Sequence, residues 1–329
     1  MSMTRRTVLT GALASAGLSL LAACGGGDDD SPSPTLPNLV ETAQADAQFS
    51  TLVSALTKAE LTGALAGSDP LTVFAPTNAA FDAAAQALGL ADGPALVSAL
   101  PSTTLASVLL YHVVAGNRLA ATLSAGNLST LYTFESAPAS LALSLTSGVQ
   151  LTDAVLTQAS VTTADVVASN GVIHVIDKLL VPPGVLNVVQ MAQLSPSFTS
   201  LVEAVLSASL EGALSDANAT LTVFAPVNSA FEAIAATVAT LSTEQLATVL
   251  TYHVLDTQVL SSGIPFGTPV DTLAGQAITI NDNATAPAIA TIADTTDSPA
   301  NIVAVDVRAS NGVIHVIDKV LLPSLVSPD

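Results

Sequence analysis

Tryptophan is absent from this 329-residue chain, cysteine occurs once, and lysine and arginine together number only seven. Each shortage excludes something. With aromatic residues at 3%, a core has to be assembled from Leu, Val, Ile and Ala around a few Phe anchors. The single cysteine, Cys24, can form no internal disulfide, so neither an oxidising nor a reducing compartment is required. Against the seven cations stand 26 acids, for a formal net charge of −19. Nucleic acid is excluded as a partner, because neutralising phosphates needs clustered Lys and Arg. A G-x-S-x-G nucleophile elbow, a dinucleotide-binding turn and a zinc-protease motif are missing as well. What is abundant is apolar: 50% of the residues are hydrophobic and 10% are charged, which rules out a chain disordered throughout. The length suffices for two ordinary domains, each with its own core.

Residues 1–23 read as an export signal. Arg5 and Arg6 precede an apolar stretch from Val8 to Ala23, shorter than the roughly 20 apolar residues of a comfortable span and suited to a secretory h-region. It ends in Leu21-Ala22-Ala23-Cys24, which resembles the bacterial lipobox, where the cysteine becomes the lipidated first residue. The competing reading is an ordinary small buried cysteine. Thr4–Leu9, with its paired arginines, also looks like a twin-arginine signal, so Sec and twin-arginine export both stay open. Cleavage before Cys24 leaves five Lys and Arg against 26 acids, a net −21, which would repel anionic lipid headgroups. Membrane attachment would therefore run through the lipid alone. Residues 24–37 are rich in Gly, Asp, Ser and Pro, bury little, and read as a flexible tether. Gly25 stands where an inner-membrane retention signal carries aspartate, which points to the outer membrane or cell surface.

The rest of the chain repeats itself. Thr72-Val-Phe-Ala-Pro-Thr-Asn-Ala-Ala-Phe81 recurs as Thr222-Val-Phe-Ala-Pro-Val-Asn-Ser-Ala-Phe231, Tyr111-His112-Val-Val114 as Tyr252-His253-Val-Leu255, and Ala168–Lys178 unchanged as Ala309–Lys319. A period of this length is domain-sized, not that of a solenoid. The spacing predicts one domain over 38–183, a second over 184–323 and a tail over 324–329, with the breaker Val181-Pro182-Pro183-Gly184 at the boundary. The first copy carries nine extra residues around Leu88–Pro101. Phe49–Leu56 and Phe198–Leu206 have helical apolar spacing, and the Thr-Val-Phe runs read as strands ended by Pro76 and Pro226. Asn78 and Asn228 are placed to cap the helices that follow. Gln150–Thr157 and Ala277–Ile280 read as strands. Val166–Ala168 and Val172–Ile176 form a hairpin in which Asn170-Gly171 supplies positive φ, as Asn311-Gly312 does in the second copy. Each unit is therefore α+β.

These three motifs, in this order and duplicated from about Asn38 to Pro323, resemble the fasciclin domain family. The resemblance implies a twisted β-sandwich or wedge with a group of small helices. It also implies surface or extracellular roles in adhesion or matrix binding, no catalytic activity and no cofactor. From relatives it singles out an Asp-apolar pair just before the Asn-Gly, here Asp165-Val166 and Asp306-Val307. It further singles out the Tyr-His positions Tyr111-His112 and Tyr252-His253 as secondary binding candidates. The residues themselves allow blander readings: solvated acids in the first case, and buried histidines bonded to backbone in the second.

All four histidines fall on apolar faces. His112 follows Leu105, Val108 and Leu109 at helical spacing, as His253 follows Leu246, Val249 and Leu250. His174 and His315 share strand faces with valine and isoleucine. A metal site needs three or four converging ligands, and none is expected. Asp177-Lys178 and Asp318-Lys319 read as local ion pairs or strand ends. Asp294 and Asp297 lie in a polar loop with too few ligands for a firm calcium site. The expected function is adhesion or matrix binding at the envelope, to a surface protein or polysaccharide. The alternative is a periplasmic protein that binds a small ligand or stabilises the envelope.

Overall fold

The computed structural model describes residues 36–282 and 289–325. The export signal, Cys24, nearly all of the tether and the end of the tail lie outside the described residues.

Two β-sheets of seven strands each account for the strand-forming runs. In the first half, helices α1 (Leu39–Gln44), α2 (Ser50–Lys58) and α3 (Thr62–Leu65) lead into strand β1 (Leu71–Pro76). Next come α4 (Asn78–Ala87), α5 (Gly93–Ala99) and α6 (Ser102–Tyr111). Strands β2 (Val113–Ala115), β3 (Gly126–Phe134), β4 (Ala137–Ser144), β5 (Gln150–Thr152), β6 (Gln158–Ala168) and β7 (Gly171–Ile176) complete the sheet in the order β2-β1-β7-β6-β5-β4-β3. The nine extra residues expected in the first copy house α5.

The second half repeats the plan with α7 (Val188–Gln193), α8 (Thr199–Ser207), α9 (Glu211–Leu214), β8 (Leu221–Pro226), α10 (Asn228–Ala233), α11 (Ala235–Val238) and α12 (Thr243–Thr251). Its remaining strands are β9 (Val254–Leu255), β10 (Pro269–Asp271), β11 (Ala277–Asp282), β12 (Ala290–Ala293), β13 (Ala300–Ala309) and β14 (Gly312–Ile317), in the order β10-β11-β12-β13-β14-β8-β9. The expected strand over Gln150–Thr157 breaks after Thr152, where Asp153 turns the chain.

The central pair β1–β7 is parallel and every residue in it is buried, as expected for parallel strands covered on both faces. Leu71, Val73 and Ala75 face the helices and pack with Leu52, Leu56 and Leu109. Phe74 points the other way, where the far end of the sheet folds back to bring Leu141, Leu143 and Leu151 against it. Each half thus has two cores, one on either side of its central pair.

Two local expectations need correction. Asn78 does not cap α4; Thr77 does, accepting from Ala80 N–H. Asn78 Oδ1 instead accepts from Thr51 N–H at 3.0 Å and its amide donates to Ala47 O, so it ties the start of α2 to the strand end. Asn228 does the same with Ser200 and Pro196. In the hairpin, neither Ser169 nor Asn170 has positive φ. Gly171 does, at φ +157°, whereas Gly312 does not, and what requires glycine in both copies is crowding: a Cβ would lie 2.0 Å from Leu71 O at Gly171 and 2.3 Å from Leu221 O at Gly312.

The breaker between the two halves is itself packed. Val181 and Pro182 are buried, and Ala154 N–H donates to Val181 O. Tyr132 Oη donates to Pro183 O at 3.0 Å. A Cβ on Gly184 would meet the Phe134 ring at 2.1 Å. Val155 packs into the helix-side core of the second half.

Candidate functional site

Of the residues singled out in the sequence, Asp165, Val166 and His174 lie on the hairpin β6–β7, and Asp306, Val307 and His315 on its copy β13–β14. Register shifts between Val161 and Val166 mark a bulge, and within it Asp165 adopts φ +61°. Few side chains accept that conformation; Asp is among those that do, because its short polar group can bond locally. Asp165 N–H donates to His174 Nδ1 at 3.2 Å, and its Oδ1 accepts from Ala120 N–H at 2.8 Å, capping the 3-10 turn Ala120–Thr122. Since His174 Nδ1 accepts, Nε2 carries the proton and donates to Arg118 O at 2.8 Å. The imidazole also stacks on Phe74, centroids 5.4 Å apart. In the copy, Asp306 has φ +60°. Its N–H faces His315 Nδ1 at 3.4 Å, its Oδ1 accepts from Ser261 N–H, and its Oδ2 accepts from Ser261 Oγ. His315 Nε2 donates to Val259 O at 2.8 Å, and burial pushes its pKa down.

The valines do not accompany their aspartates to the surface. Strand alternation turns Val166 half-buried against the helix-side core and buries Val307. The carboxylate alone faces outward, and the side chain of Asp165 is 40% exposed.

The two copies are also unequal. Val167, beside Asp165, is 50% exposed. The matching residue beside Asp306 is Arg308, whose guanidinium pairs with Glu135 and lies 5.3 Å over the Phe134 ring of the first half. The second copy's surface is thus partly covered by the first domain.

The Tyr-His pairs stand at the C-terminal ends of α6 and α12, where Tyr111 closes α6, His112 and Tyr252 are the C-caps and His253 follows, and they lie inside. Tyr111, His112, Tyr252 and His253 are all buried. His112 Nδ1 donates to Val108 O at 2.7 Å and Nε2 accepts from Leu180 N–H at 2.9 Å. His253 repeats this with Val249 O and Leu321 N–H. Tyr111 Oη donates to Ser140 O, and Tyr252 Oη to Ala277 O. Burial pushes both imidazoles down to about 4 and raises both phenols. These four side chains tie the last helix of each half to its sheet, so no partner meets them on the folded surface.

Two features went unseen in the sequence. Asn170 is a buried hub: Oδ1 accepts from Leu39 N–H and the amide donates to Leu65 O and Gly67 O. Asn311 does likewise with Val188, Leu214 and Asp216. The second feature is a pair of shielded carboxylates. Lys178 does not pair with its neighbour Asp177. Its Nζ donates to Asp153 Oδ2 at 2.6 Å, and the Asp153 side chain has no exposure. Lys319 reaches Asp294 in the same way, at 3.2 Å. Burial works to raise the Asp294 pKa, but bonds from Thr296, Leu322 N–H and Lys319 outweigh it and leave the carboxyl below its ordinary value. With its oxygens so engaged, Asp294 offers nothing to calcium. Among the described residues no three His, Cys, Asp or Glu side chains converge as metal ligands.

The fasciclin domain model matches residues 47–182 and 196–323. An uncharacterized protein of Synechocystis sp. is 41% identical over 145 residues, which is 44% of this chain and 98% of that protein. Transforming growth factor-beta-induced protein ig-h3 of Sus scrofa is 34% identical over 150 residues, covering 46% of this chain and 20% of that much longer protein. A FAS1 domain pair from the insect cell adhesion molecule Fasciclin I aligns with 87% of this chain and 96% of its own at 16% identity, with a TM-score of 0.43.

Proposed function

Because the chain belongs to the fasciclin domain family, with two copies of the domain in tandem, we propose that it is an exported adhesion or matrix-binding lipoprotein of the bacterial envelope. Residues 1–23 would be its signal and Cys24 its lipidated anchor. The tether 24–37 would carry two non-catalytic domains, 38–183 and 184–323. No helix among the described residues is long and apolar enough to cross a membrane, so attachment in this reading falls to the lipid.

The observation that carries the binding role is the commitment of the motif side chains to the fold. All four histidines are engaged through both ring nitrogens to backbone or to a bulged aspartate, and Asp306 through both oxygens to Ser261. The motif histidines are thus structural. Asp165, held rigidly in its bulge yet facing solvent, is the better recognition element, with Asp306 second. The partner would be a surface or matrix protein or a polysaccharide.

The test uses cells displaying the full chain. Cys24→Ser should abolish palmitate incorporation and release the protein. Asp165→Ala should weaken adhesion several-fold with folding intact, and Asp306→Ala should weaken it less. Normal adhesion of the doubly substituted protein sinks the assignment of these residues. Resistance to protease applied to intact cells would instead favour the periplasmic, ligand-binding reading.

A further inference from the structure

The junction between the domains leaves a groove of about 690 Å³, within the range of ligand sites, about 300–1,000 Å³. One wall is an alanine face of α4, with Ala80, Ala84 and Ala87 at i, i+4 and i+7 and Ala83 between them. The other wall presents Leu194 and Val202 from the α7–α8 region. Asp177 and Glu203 stand exposed along it, and among the described residues neither pairs with a cation. Lys178 is the one cation in the lining, and Asp153 neutralises it.

We infer that this groove seats a basic segment of another protein chain, with Lys or Arg stems along the alanine wall and their charged heads at Asp177 and Glu203. Four observations select that occupant. The uncompensated groove charges are both carboxylates, and the chain carries 26 acids against seven cations, so an anionic partner is repelled at short range and long. Apolar walls with acids beside them match the two-part character of Lys and Arg, an aliphatic stem under a charged head. Alanine side chains let a peptide main chain approach closely. No aromatic residue lines the groove, so a sugar or base ring has nothing to stack on. The walls belong to different domains, yet the groove is preformed. The buried connection at Val181–Pro182 and the Arg308–Glu135 contact over Phe134 fix one domain against the other, which lowers the ordering cost of binding. The groove shares no residue with Asp165 or Asp306, so this proposal and the adhesion reading fail separately.

The experiment titrates the full chain in detergent with a fluorescein-labelled octapeptide of alternating lysine and leucine, followed by anisotropy. Because any acidic protein attracts a polycation, the decisive variants hold charge constant or match its change. Ala83→Trp with Ala87→Trp, both at exposed positions, fills the groove without altering charge and should weaken binding at least tenfold. Glu203→Gln should weaken it about threefold or more. Glu232→Gln, the same charge change outside the groove, should leave it unaltered. A lysine–glycine octapeptide should bind at least tenfold more weakly than the lysine–leucine probe. Melting temperatures confirm that each variant is folded, and Glu203→Gln keeps the test decisive should the tryptophan pair disturb α4. Three results overturn the proposal: no binding of the lysine–leucine peptide below millimolar concentration, equal binding by the tryptophan variant, or equal weakening by Glu232→Gln.

Discussion

Acidification should destabilise both domains between pH 6.5 and 4, and the two buried Tyr-His histidines should account for most of that loss. Each imidazole is held neutral by its partners. Nδ1–H of His112 donates to Val108 O, and Nε2 accepts from Leu180 N–H. A proton added at Nε2 would set two N–H donors face to face in a buried site. Burial accordingly lowers the folded pKa from 6.5 to about 4, in His112 and equally in His253. Because the folded value lies below the unfolded one, the unfolded chain takes up the proton first as pH falls. The stabilisation is therefore complete above pH 6.5 and is lost through the window down to about 4. For one such histidine the loss reaches about 2 kcal/mol by pH 5, with a slope near 1.2 kcal/mol per pH unit in mid-window. His315, lowered in the same direction, adds to the slope. Asp294, held below its usual carboxylate value, contributes only at lower pH. Urea unfolding at half-unit intervals from pH 7.5 to 4.5 reads the slope directly. His112→Gln with His253→Gln lowers stability outright by about 1–3 kcal/mol per site, from the unsatisfied backbone groups left behind. The slope and not the midpoint is the readout, and it should fall by about two protons' worth. An unchanged slope in a folded double variant would refute the reasoning.

Two further predictions concern the cores. The helix-side core of the second domain, where Val188 and Val205 replace the first domain's Leu39 and Leu56, encloses about 40 Å³ of unfilled space against about 20 Å³ at the matching place in the first. Val205→Leu should stabilise by about 1 kcal/mol, from one buried methylene and the smaller void; a lower thermal midpoint would show that the surrounding helices cannot accept it. Asp153→Ala should cost about 3–5 kcal/mol because it strands Lys178 and removes the acceptor for Val181 N–H. Asp177→Ala, at an exposed carboxylate, should cost far less in the same urea titration, and equal costs would contradict the assigned pairing.

The duplicated motifs made much of this architecture legible. Thr72–Phe81 and Ala168–Lys178 announced β1, α4 and the final hairpin, because apolar runs between Pro and Asn-Gly have few other conformations. What sequence could not supply was long-range partnership. Asn78 looked like a cap for the helix it begins, and only tertiary contact shows it holding α2. Asn170 and Gly171 looked like turn chemistry, whereas the packing of β1 and α1 against the hairpin decides both residues. The Asp-Val pairs divided because a strand sends neighbours to opposite faces, which the alternation rule already implied. The shielded acids left a trace that was legible in principle. Asp153 and Asp294 recur at the same offset as the motifs on either side of them, within segments that have otherwise diverged.

The parallel pair at the centre of each sheet has a consequence in time. Leu71 lies opposite Gly171 and Leu221 opposite Gly312, so the strand that begins each sheet must wait for the strand that ends it. Contacts so distant along the chain close slowly, because loop entropy is lost before burial repays it. The helices and β1 made first have only half of their cover until the last hairpin arrives. The hairpins from β3 to β6 can pair early, but joining them to β1 through β7 is a late event in each domain, and so is the matching closure through β14.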